Sequence, residues 1–297
     1  MGKVVHLVLF ISCLSLLWSC QPELERKGIP VWAGLTIDSN CRIQEVSPQT
    51  EIVKHMGLTG ISVEIPLEVN PREISGSFKY YENHPLDTLI LSLQQAVLPY
   101  TLSFDLRNPR QAPLQSVDWK KQFTEISGLL LRTGNYPPST IIFMGELVNP
   151  ALPPTLLRDF VSQIQSNFQP FQGEIVYAYF PEVFEDSIDL ETPDIIGIRY
   201  HQSPDESLIP FYRKTNQMIS QKLIQWQKPG MIVQSNLLGE EKVKQFRYQL
   251  RYWDEKADIR GMILNSLYCR LSLTENESFF ALGEDAAFQK YLKQYLN

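Results

Sequence analysis

The stretch Thr140–Pro150, TIIFMGELVNP, decides how the rest of the chain is interpreted. Four apolar, β-prone residues at 141–144 run into Gly145 and Glu146, and a loop with Asn149 follows. A buried strand that delivers a carboxylate at its C-terminal end is how a (β/α)8 barrel places a catalytic acid. A carboxyl group there can keep a raised pKa and protonate a leaving group. Glu146 is therefore a candidate acid/base, and the simpler alternative is an ordinary polar residue leaving a strand.

Short apolar, β-prone segments recur on both sides of this stretch, and helical patterns separate nearly all of them. Besides the segment before Glu146, the predicted strands are Val31–Ile37, Gly60–Ile65, Tyr100–Leu106, Glu174–Ala178, Ile195–Arg199, Gly230–Gln234 and Gly261–Leu264. The predicted helices are Ser47–His55, Leu86–Val97, Ser116–Arg132, Pro153–Phe168, Pro210–Gln227, Lys242–Trp253 and Asp285–Leu296. The segment Tyr179–Pro193 is acidic and irregular, and it carries no clear helical pattern.

Regular alternation of eight strands with helices predicts an α/β fold, a (β/α)8 TIM barrel. A single domain over residues 30–297 has a common size for such a barrel. The alternative is a doubly wound open sheet. That fold favours a glycine-rich first turn, which the chain lacks.

The first 19 residues have the pattern of a signal peptide. Lys3 gives the positive start, and the apolar run Val4–Trp18 is too short for a lasting membrane span. The run ends in Leu17-Trp18-Ser19-Cys20, which resembles a bacterial lipobox. That resemblance implies that Cys20 is lipidated and becomes the mature N-terminus.

Residues 20–29 are then a lipidated cysteine and a short tether, which binds the protein to a membrane. Gln21 follows the cysteine where Asp would favour retention in the inner membrane, by resemblance to known sorting rules. The expected location is the bacterial cell envelope, at the outer membrane. No other membrane partner is expected.

Composition excludes several functions. The net charge is −6, and no block of Lys or Arg is present, so nucleic acid is not an expected partner. No P-loop and no GxGxxG motif occurs, and no histidines have metal-ligand spacing, so we expect neither a cofactor nor a metal. Protein partners are not predicted by any pattern in the chain.

Cys41 and Cys269 are the cysteines that remain after Cys20. They follow the first and eighth predicted strands, which are neighbours when a barrel closes. Since an exported protein can form disulfides, a Cys41–Cys269 bond is one hypothesis. Two separate buried thiols are the equally weighted alternative.

The C-terminal ends of the strands are where a barrel of this kind binds its ligand. These ends are rich in carboxylates, amides and tyrosines. Such groups, with aromatic faces nearby, suit a polyhydroxylated ligand such as a sugar, whereas the few arginines suit phosphate poorly. The candidate ligand-contacting residues are Asp38, Tyr179, Tyr200, His201, Gln234, Asn236 and Asn265, and the weak candidates for a second catalytic carboxylate are Asp105 and Glu64.

Four segments, in order, resemble glycoside hydrolase barrels with a catalytic Glu pair on strands four and seven, in the mannanase-like branch. Phe143–Leu147, FMGEL, resembles the strand-four segment, which implies that Glu146 is the acid/base. Asp194–Tyr200, DIIGIRY, resembles the strand-six segment. Lys228–Gly239, KPGMIVQSNLLG, falls where the family has Lys-Pro, a strand and the nucleophile Glu, and Gly261–Tyr268 falls at the family's last strand.

The chain departs from that family at the site itself. Gly145 stands where Asn is usual before the acid/base Glu. Strand seven offers Gln234, Ser235 or Asn236 where the nucleophile is expected, and strand eight offers Asn265 in place of a Trp. An amide cannot form a covalent glycosyl intermediate.

Three functions follow from this combination. The first is a carbohydrate-binding barrel, a pseudoenzyme that has lost or altered its hydrolytic activity. The second is an active glycosidase on a β-linked polysaccharide, with Glu146 as acid and Asp105 or Glu64 as base. The third is a non-enzymatic scaffold subunit of a cell-surface assembly.

Overall fold

A computed structural model describes residues 28–37, 47–69, 85–168, 171–185, 188–200, 208–234, 242–256, 258–264 and 286–296. The predicted signal peptide, Cys20 and most of the tether lie outside these ranges, and so do Cys41 and Cys269. None of the helices in the described part is long and apolar enough to cross a membrane.

Eight parallel strands form a closed barrel in which each strand pairs with the next. β1 closes the ring by pairing with β8, with Trp32 opposite Ile263. The (β/α)8 barrel predicted from the sequence is therefore confirmed. The strands are β1 (Val31–Thr36), β2 (Gly60–Glu68), β3 (Tyr100–Arg107), β4 (Thr140–Gly145), β5 (Glu174–Tyr179), β6 (Ile195–Arg199), β7 (Gly230–Gln234) and β8 (Ile259–Leu264).

The helices surround this barrel and cover its outer face with a continuous apolar layer. In the connection between β5 and β6 the described residues form only a 3-10 turn, Pro181–Glu185, in agreement with the absence of a helical pattern there. The α-helices are α1 (Ser47–Met56), α2 (Pro85–Ala96), α3 (Trp119–Arg132), α4 (Pro154–Asn167), α5 (Leu208–Trp226), α6 (Lys242–Lys256) and α7 (Ala286–Leu296).

β2 continues past Pro66, whereas the sequence predicted that the strand would stop there. The ladder to β1 ends where the N–H of Ile37 donates to the carbonyl of Glu64. Pro66 is two residues after Glu64, so its backbone faces β1, where the described residues show no strand pairing beyond Glu64. Its missing N–H therefore costs no ladder hydrogen bond, and pairing with β3 continues to Glu68.

The bottom of the barrel, at the N-terminal ends of the strands, is filled by Trp32. The ring fits because two neighbouring strands carry glycine beside it. A Cβ on Gly60 would lie 2.8 Å from the Trp32 ring, and one on Gly261 would lie 3.0 Å from its Nε1. The other members of this interior apolar cluster are Ile142, Met144, Val176, Ala178, Ile195, Met231, Val233 and Ile263.

α2 ends with an unusual residue at its C-terminal cap. Val97 has φ of +54°, and the N–H of Leu98 donates to the carbonyl of Leu93 in a Schellman arrangement. α1 ends in the same way, but there Gly57 occupies the left-handed position with φ of +72°. The Val97 side chain is 80% exposed, so nothing in its packing offsets the cost of a β-branched residue in this conformation.

Candidate functional site at the barrel mouth

Asp105 lies at the centre of the barrel mouth, near the C-terminal end of β3. The residue is only 3% exposed, although it carries a charge. A buried carboxylate requires a partner of opposite charge or several hydrogen bonds. Two arginines supply them, one from its own strand and one from across the barrel.

Arg107 bridges two carboxylates on neighbouring strands. Its Nε donates to Asp105 Oδ2 at 2.9 Å, and its Nη2 donates to Glu64 Oε1 on β2 at 2.6 Å. Burial alone would lower the pKa of Arg107. The hydrogen bonds and charges of Asp105 and Glu64 outweigh that effect, so the pKa lies above its ordinary value. The side chain is 46% exposed, so this guanidinium is also open to solvent at the mouth.

Arg199 reaches Asp105 from β6, on the far side of the mouth. Its Nη1 lies 3.3 Å from Asp105 Oδ1, and its Nη2 lies 3.5 Å from Oδ2. The guanidinium carbon also lies 4.6 Å from the centre of the Phe180 ring, which follows β5. The side chain is 11% exposed. An ion pair and a cation–π contact therefore hold this arginine across the opening of the barrel.

Glu64 has a pKa raised above its ordinary value of 4.5. Burial in the mouth is the main cause, and the negative charge of Asp105 adds to it. Arg107 and Arg199 oppose both effects without cancelling them. Glu64 therefore holds a proton more readily than a solvated glutamate.

Glu146 lies directly after β4 and opens a 3-10 turn, Glu146–Val148. Its Oε2 accepts a hydrogen bond from Asn149 Nδ2 at 2.8 Å, and the residue is half-buried. A role for Glu146 as acid/base stays a prediction.

The backbone at Gly145 leaves no room for the Asn that precedes the acid/base Glu in the glycoside hydrolase barrels that the sequence resembles. Gly145 has a φ of +68°, which is unfavourable for an L side chain. A Cβ at this position would lie 2.3 Å from the carbonyl oxygen of Leu106 and 2.7 Å from Asp105 Oδ1. The backbone of β4 thus approaches β3 so closely that no side chain fits, and Asp105 lies against the residue that precedes Glu146.

Tyr179 and Tyr200 are placed differently from the sequence expectation. Tyr179 is 4% exposed and packs in the outer apolar layer, on the same face of β5 as Tyr177. Tyr200 is fully buried, and its hydroxyl donates to Asn216 Oδ1 on α5 at 2.6 Å. The alternation of side chains along a strand directs both tyrosines toward the helices, so we correct their expected position at the mouth.

Four predicted ligand-contacting residues lie outside the described part of the chain: Asp38, His201, Asn236 and Asn265. The backbone of Gln234 ends β7, but its side chain is not among those described. Among the residues that are described, no group of three or more His, Cys, Asp or Glu side chains could hold a metal ion.

No family profile matches the chain, and no curated protein sequence matches it. Several solved structures do. A GH113 β-mannanase from Alicyclobacillus acidocaldarius aligns with a TM-score of 0.63 and 9% identity, over 91% of this chain and 97% of the other. A second GH113 β-1,4-mannanase gives 0.61 and 12%, over 91% and 99%. The endo-1,4-β-D-mannanase of Thermotoga petrophila gives 0.58 and 10%, over 90% and 99%.

The chain has a mannanase-like (β/α)8 fold. The resemblance inferred from the four sequence segments is confirmed at the level of the fold. A fold hosts many activities, so the roles of residues in this mannanase-like barrel depend on the chemistry of its mouth.

The sequence placed Arg107 and Arg199 at the rim but did not predict their ion pairs, and it gave Phe180 and Asn149 no role at the mouth of the barrel. The alternation of side chains along β6 could have predicted the position of Arg199. Ile195 faces the interior, so Gly197 and Arg199 share its side of the strand. The pairing of Arg199 with Asp105 joins residues 94 positions apart, and only the closed barrel brings them together.

Proposed function

We propose that this protein is an envelope lipoprotein that binds carbohydrate at its barrel mouth and has lost the hydrolytic activity of mannanase-like barrels. The observation that carries this proposal is the ionic network of Glu64, Arg107, Asp105 and Arg199. It gives a binding surface, and among the described residues it engages Asp105 and Glu64, the candidates for a second catalytic carboxylate.

The network argues against a second catalytic carboxylate. A retaining glycosidase needs a free nucleophilic carboxylate at about 5–5.5 Å from the acid, and an inverting one needs a base at about 6.5–9.5 Å. Asp105 is buried, and both arginines engage its carboxylate, so its oxygens are already occupied by ion pairs and are not open to a substrate or a water. β7 ends in the amide residue Gln234.

The same network suits recognition of a sugar. Carboxylates and guanidinium groups that are already fixed in place offer hydrogen bonds to hydroxyls at little entropic cost. Phe180 adds a half-buried aromatic ring beside Arg199. Polar groups that converge around an aromatic face are typical of a carbohydrate site.

The envelope location rests on the sequence. The lipobox-like end of the apolar segment implies a lipidated Cys20, and Gln21 favours the outer membrane. A multiply acylated cysteine gives stable membrane attachment, because each buried CH2 contributes about 0.8 kcal/mol. Mass spectrometry of the membrane-extracted chain should find acyl groups on Cys20, and partition into the aqueous phase would contradict the proposal.

A second candidate function, active hydrolysis, is favoured by one observation. Glu64 is 30% exposed, and its raised pKa would make it a stronger base at neutral pH than an ordinary glutamate. In that mechanism Glu146 would protonate the leaving group, and Glu64 would activate a water.

The test is turnover and binding by the full chain in detergent, with β-1,4-linked mannohexaose and a panel of other β-linked oligosaccharides. We expect binding without release of reducing ends by the wild type. Turnover that is lost in both Glu146→Gln and Glu64→Gln would instead establish the glycosidase. Neither turnover nor binding would favour the scaffold function.

A further inference from the structure

Three exposed apolar side chains lie at the bottom of the barrel, the end opposite the mouth. Each helix runs back from the C-terminal end of one strand to the start of the next, so the helices end at the bottom. Leu131 and Ile224 lie in the last turns of α3 and α5, and Val97 caps α2. All three are more than half exposed. Of the large apolar residues that are exposed in the described part of the chain, only Leu91 lies elsewhere, in the middle of α2.

Two of these side chains belong to one surface patch. Tyr136, in the turn after α3, donates its hydroxyl to the carbonyl of Leu98 at 2.9 Å, which joins that turn to the cap of α2. Val97, Leu131 and the half-buried Tyr136 therefore lie close together. Ile224 lies across the bottom, because α5 connects β6 and β7, on the opposite side of the ring from α2.

Val97 is an unfavourable residue for the position that it occupies. Its φ of +54° is a conformation that glycine adopts at little cost, and Gly57 occupies the equivalent cap of α1. A β-branched residue in this conformation is uncommon, and the exposed side chain gains no packing within the chain that would offset the cost. Contact with a partner outside the chain would explain an apolar side chain at this position.

The charged groups at the bottom are of both signs. Lys256 and Glu255 lie at the end of α6, and Arg260 pairs with Asp258 at 3.3 Å at the start of β8. All four residues are exposed. This mixture does not favour a strongly charged partner, so the apolar side chains are the groups that a partner would bury.

The segment that leads to Cys20 also leaves the barrel at the bottom. Gly28 precedes β1, and a Cβ on it would lie 3.0 Å from the hydroxyl oxygen of Tyr295, near the C-terminal end of α7. Eight residues, 21–28, follow Cys20, and they span at most about 28 Å when fully extended. α5 has 19 residues and is itself about 28 Å long. The segment is therefore too short to pass around the helices and reach the mouth.

We propose that the bottom of the barrel rests on the lipid bilayer, with Val97, Leu131 and Ile224 at the boundary between headgroups and acyl chains. This inference rests on the lipidation of Cys20 proposed above. The anchor keeps the bottom at a high local concentration beside the bilayer, so a few apolar contacts are enough to orient the barrel. The mouth then faces away from the membrane and is open to a carbohydrate.

The test compares the two ends of one helix. The photocrosslinker p-benzoylphenylalanine replaces either Gln225, near the bottom end of α5, or Lys214, near its mouth end. Both residues are exposed, and they lie on the same face of the helix, about three turns apart. The acylated full chain is placed in phosphatidylcholine vesicles, irradiated and analysed by mass spectrometry. We expect lipid adducts with the probe in place of Gln225 and few or none with the probe in place of Lys214.

A triple variant tests whether the three apolar side chains make the contact. Val97→Gly, Leu131→Gln and Ile224→Gln are combined with the probe near the bottom end of α5. We expect about tenfold fewer lipid adducts, because the apolar surface available to the bilayer is lost. Leu91→Gln is the matched control. It also removes an exposed leucine, but away from the bottom, and should leave the yield unchanged.

Several results would overturn the proposal. They are equal lipid adducts at the two probes, a yield that the triple variant leaves unchanged, and a crosslink between two chains in place of the lipid adduct. The last would make the bottom an interface between copies of the chain. An unacylated Cys20 would overturn the anchor and the docking together, whereas an acylated chain without lipid adducts would overturn the docking alone. Carbohydrate recognition fails or holds separately, because binding of mannohexaose is measured at the mouth.

Discussion

The two ends of the barrel differ in the side chains that they bury, which are apolar at the bottom and charged at the mouth. The bottom contains Trp32 and an apolar cluster, and two glycines leave room for the ring. The mouth contains an ionic network in which Glu64 and Asp105 pair with Arg107 and Arg199, and Asp105 is nearly inaccessible to solvent. Apolar burial stabilises a fold directly, whereas a buried ion pair often does little more than compensate for its own desolvation. The bottom therefore stabilises the fold, whereas the charged groups of the mouth are available for the recognition proposed above.

The largest loss of stability is expected from a substitution at the bottom of the barrel. Trp32→Ala should lower the free energy of unfolding by about 3–5 kcal/mol, because it removes a large buried side chain and leaves a cavity. Urea unfolding followed by circular dichroism measures it. Trp226→Ala, at a half-buried tryptophan on α5, is the control and should cost clearly less. Equal losses at the two positions would contradict the role given to Trp32.

The next effect is expected at the mouth. Asp105→Ala should cost about 3 kcal/mol, since it leaves Arg199 partly buried without its carboxylate. The double variant Asp105→Ala/Arg199→Met should recover most of that loss in the same unfolding experiment. A double variant as unstable as the single one would show that Asp105 acts by packing and not by charge.

A smaller effect, a gain in stability, is expected at the C-terminal cap of α2, outside the interior of the barrel. Val97→Gly should raise the free energy of unfolding by about 1 kcal/mol, because the left-handed conformation at φ of +54° costs a glycine little. Gly57→Val, at the equivalent cap of α1, is the matched control and should destabilise. Thermal unfolding of both variants measures the pair, and a loss of stability in Val97→Gly would contradict the strain inferred at this cap.

The smallest expected effect is a pH dependence of the free energy of unfolding, which arises from Glu64 at the mouth. The raised pKa of Glu64 means that the folded state holds this proton to a higher pH than the unfolded state does. Its contribution to stability is therefore complete below the ordinary pKa of 4.5 and is lost as the pH rises through the folded-state pKa. Glu64→Gln cannot ionise, so its stability relative to the wild type should rise with pH. Urea unfolding from about pH 4 to about pH 8 tests this, and a falling difference would contradict it.

Most of the fold could be predicted from the sequence, because the strands and helices follow from local patterns of apolar residues. Eight apolar segments and the helical periods between them are visible along the chain, and their positions agree with the strands within a few residues. The extension of β2 beyond Pro66 could not be predicted, since it depends on where pairing with β1 ends. That is a property of the assembled barrel.

The site was harder to predict because its contacts are long-range. The sequence places Asp105 and Glu64 at the rim, but it does not predict that Arg107 and Arg199 pair with them. Strand alternation directs Tyr179 and Tyr200 to the helices, and it would have predicted both corrections.

Recognition of a carbohydrate by the charged mouth can be measured in a single titration. Isothermal titration calorimetry of mannohexaose into the full chain is run with the wild type and with Arg107→Met. Arg107 is 46% exposed, so its replacement should not unfold the barrel. We expect the wild type to bind and Arg107→Met to bind about tenfold more weakly, because a charge-assisted contact to the sugar is lost. Equal affinity of the two proteins, or no binding by the wild type, would contradict it.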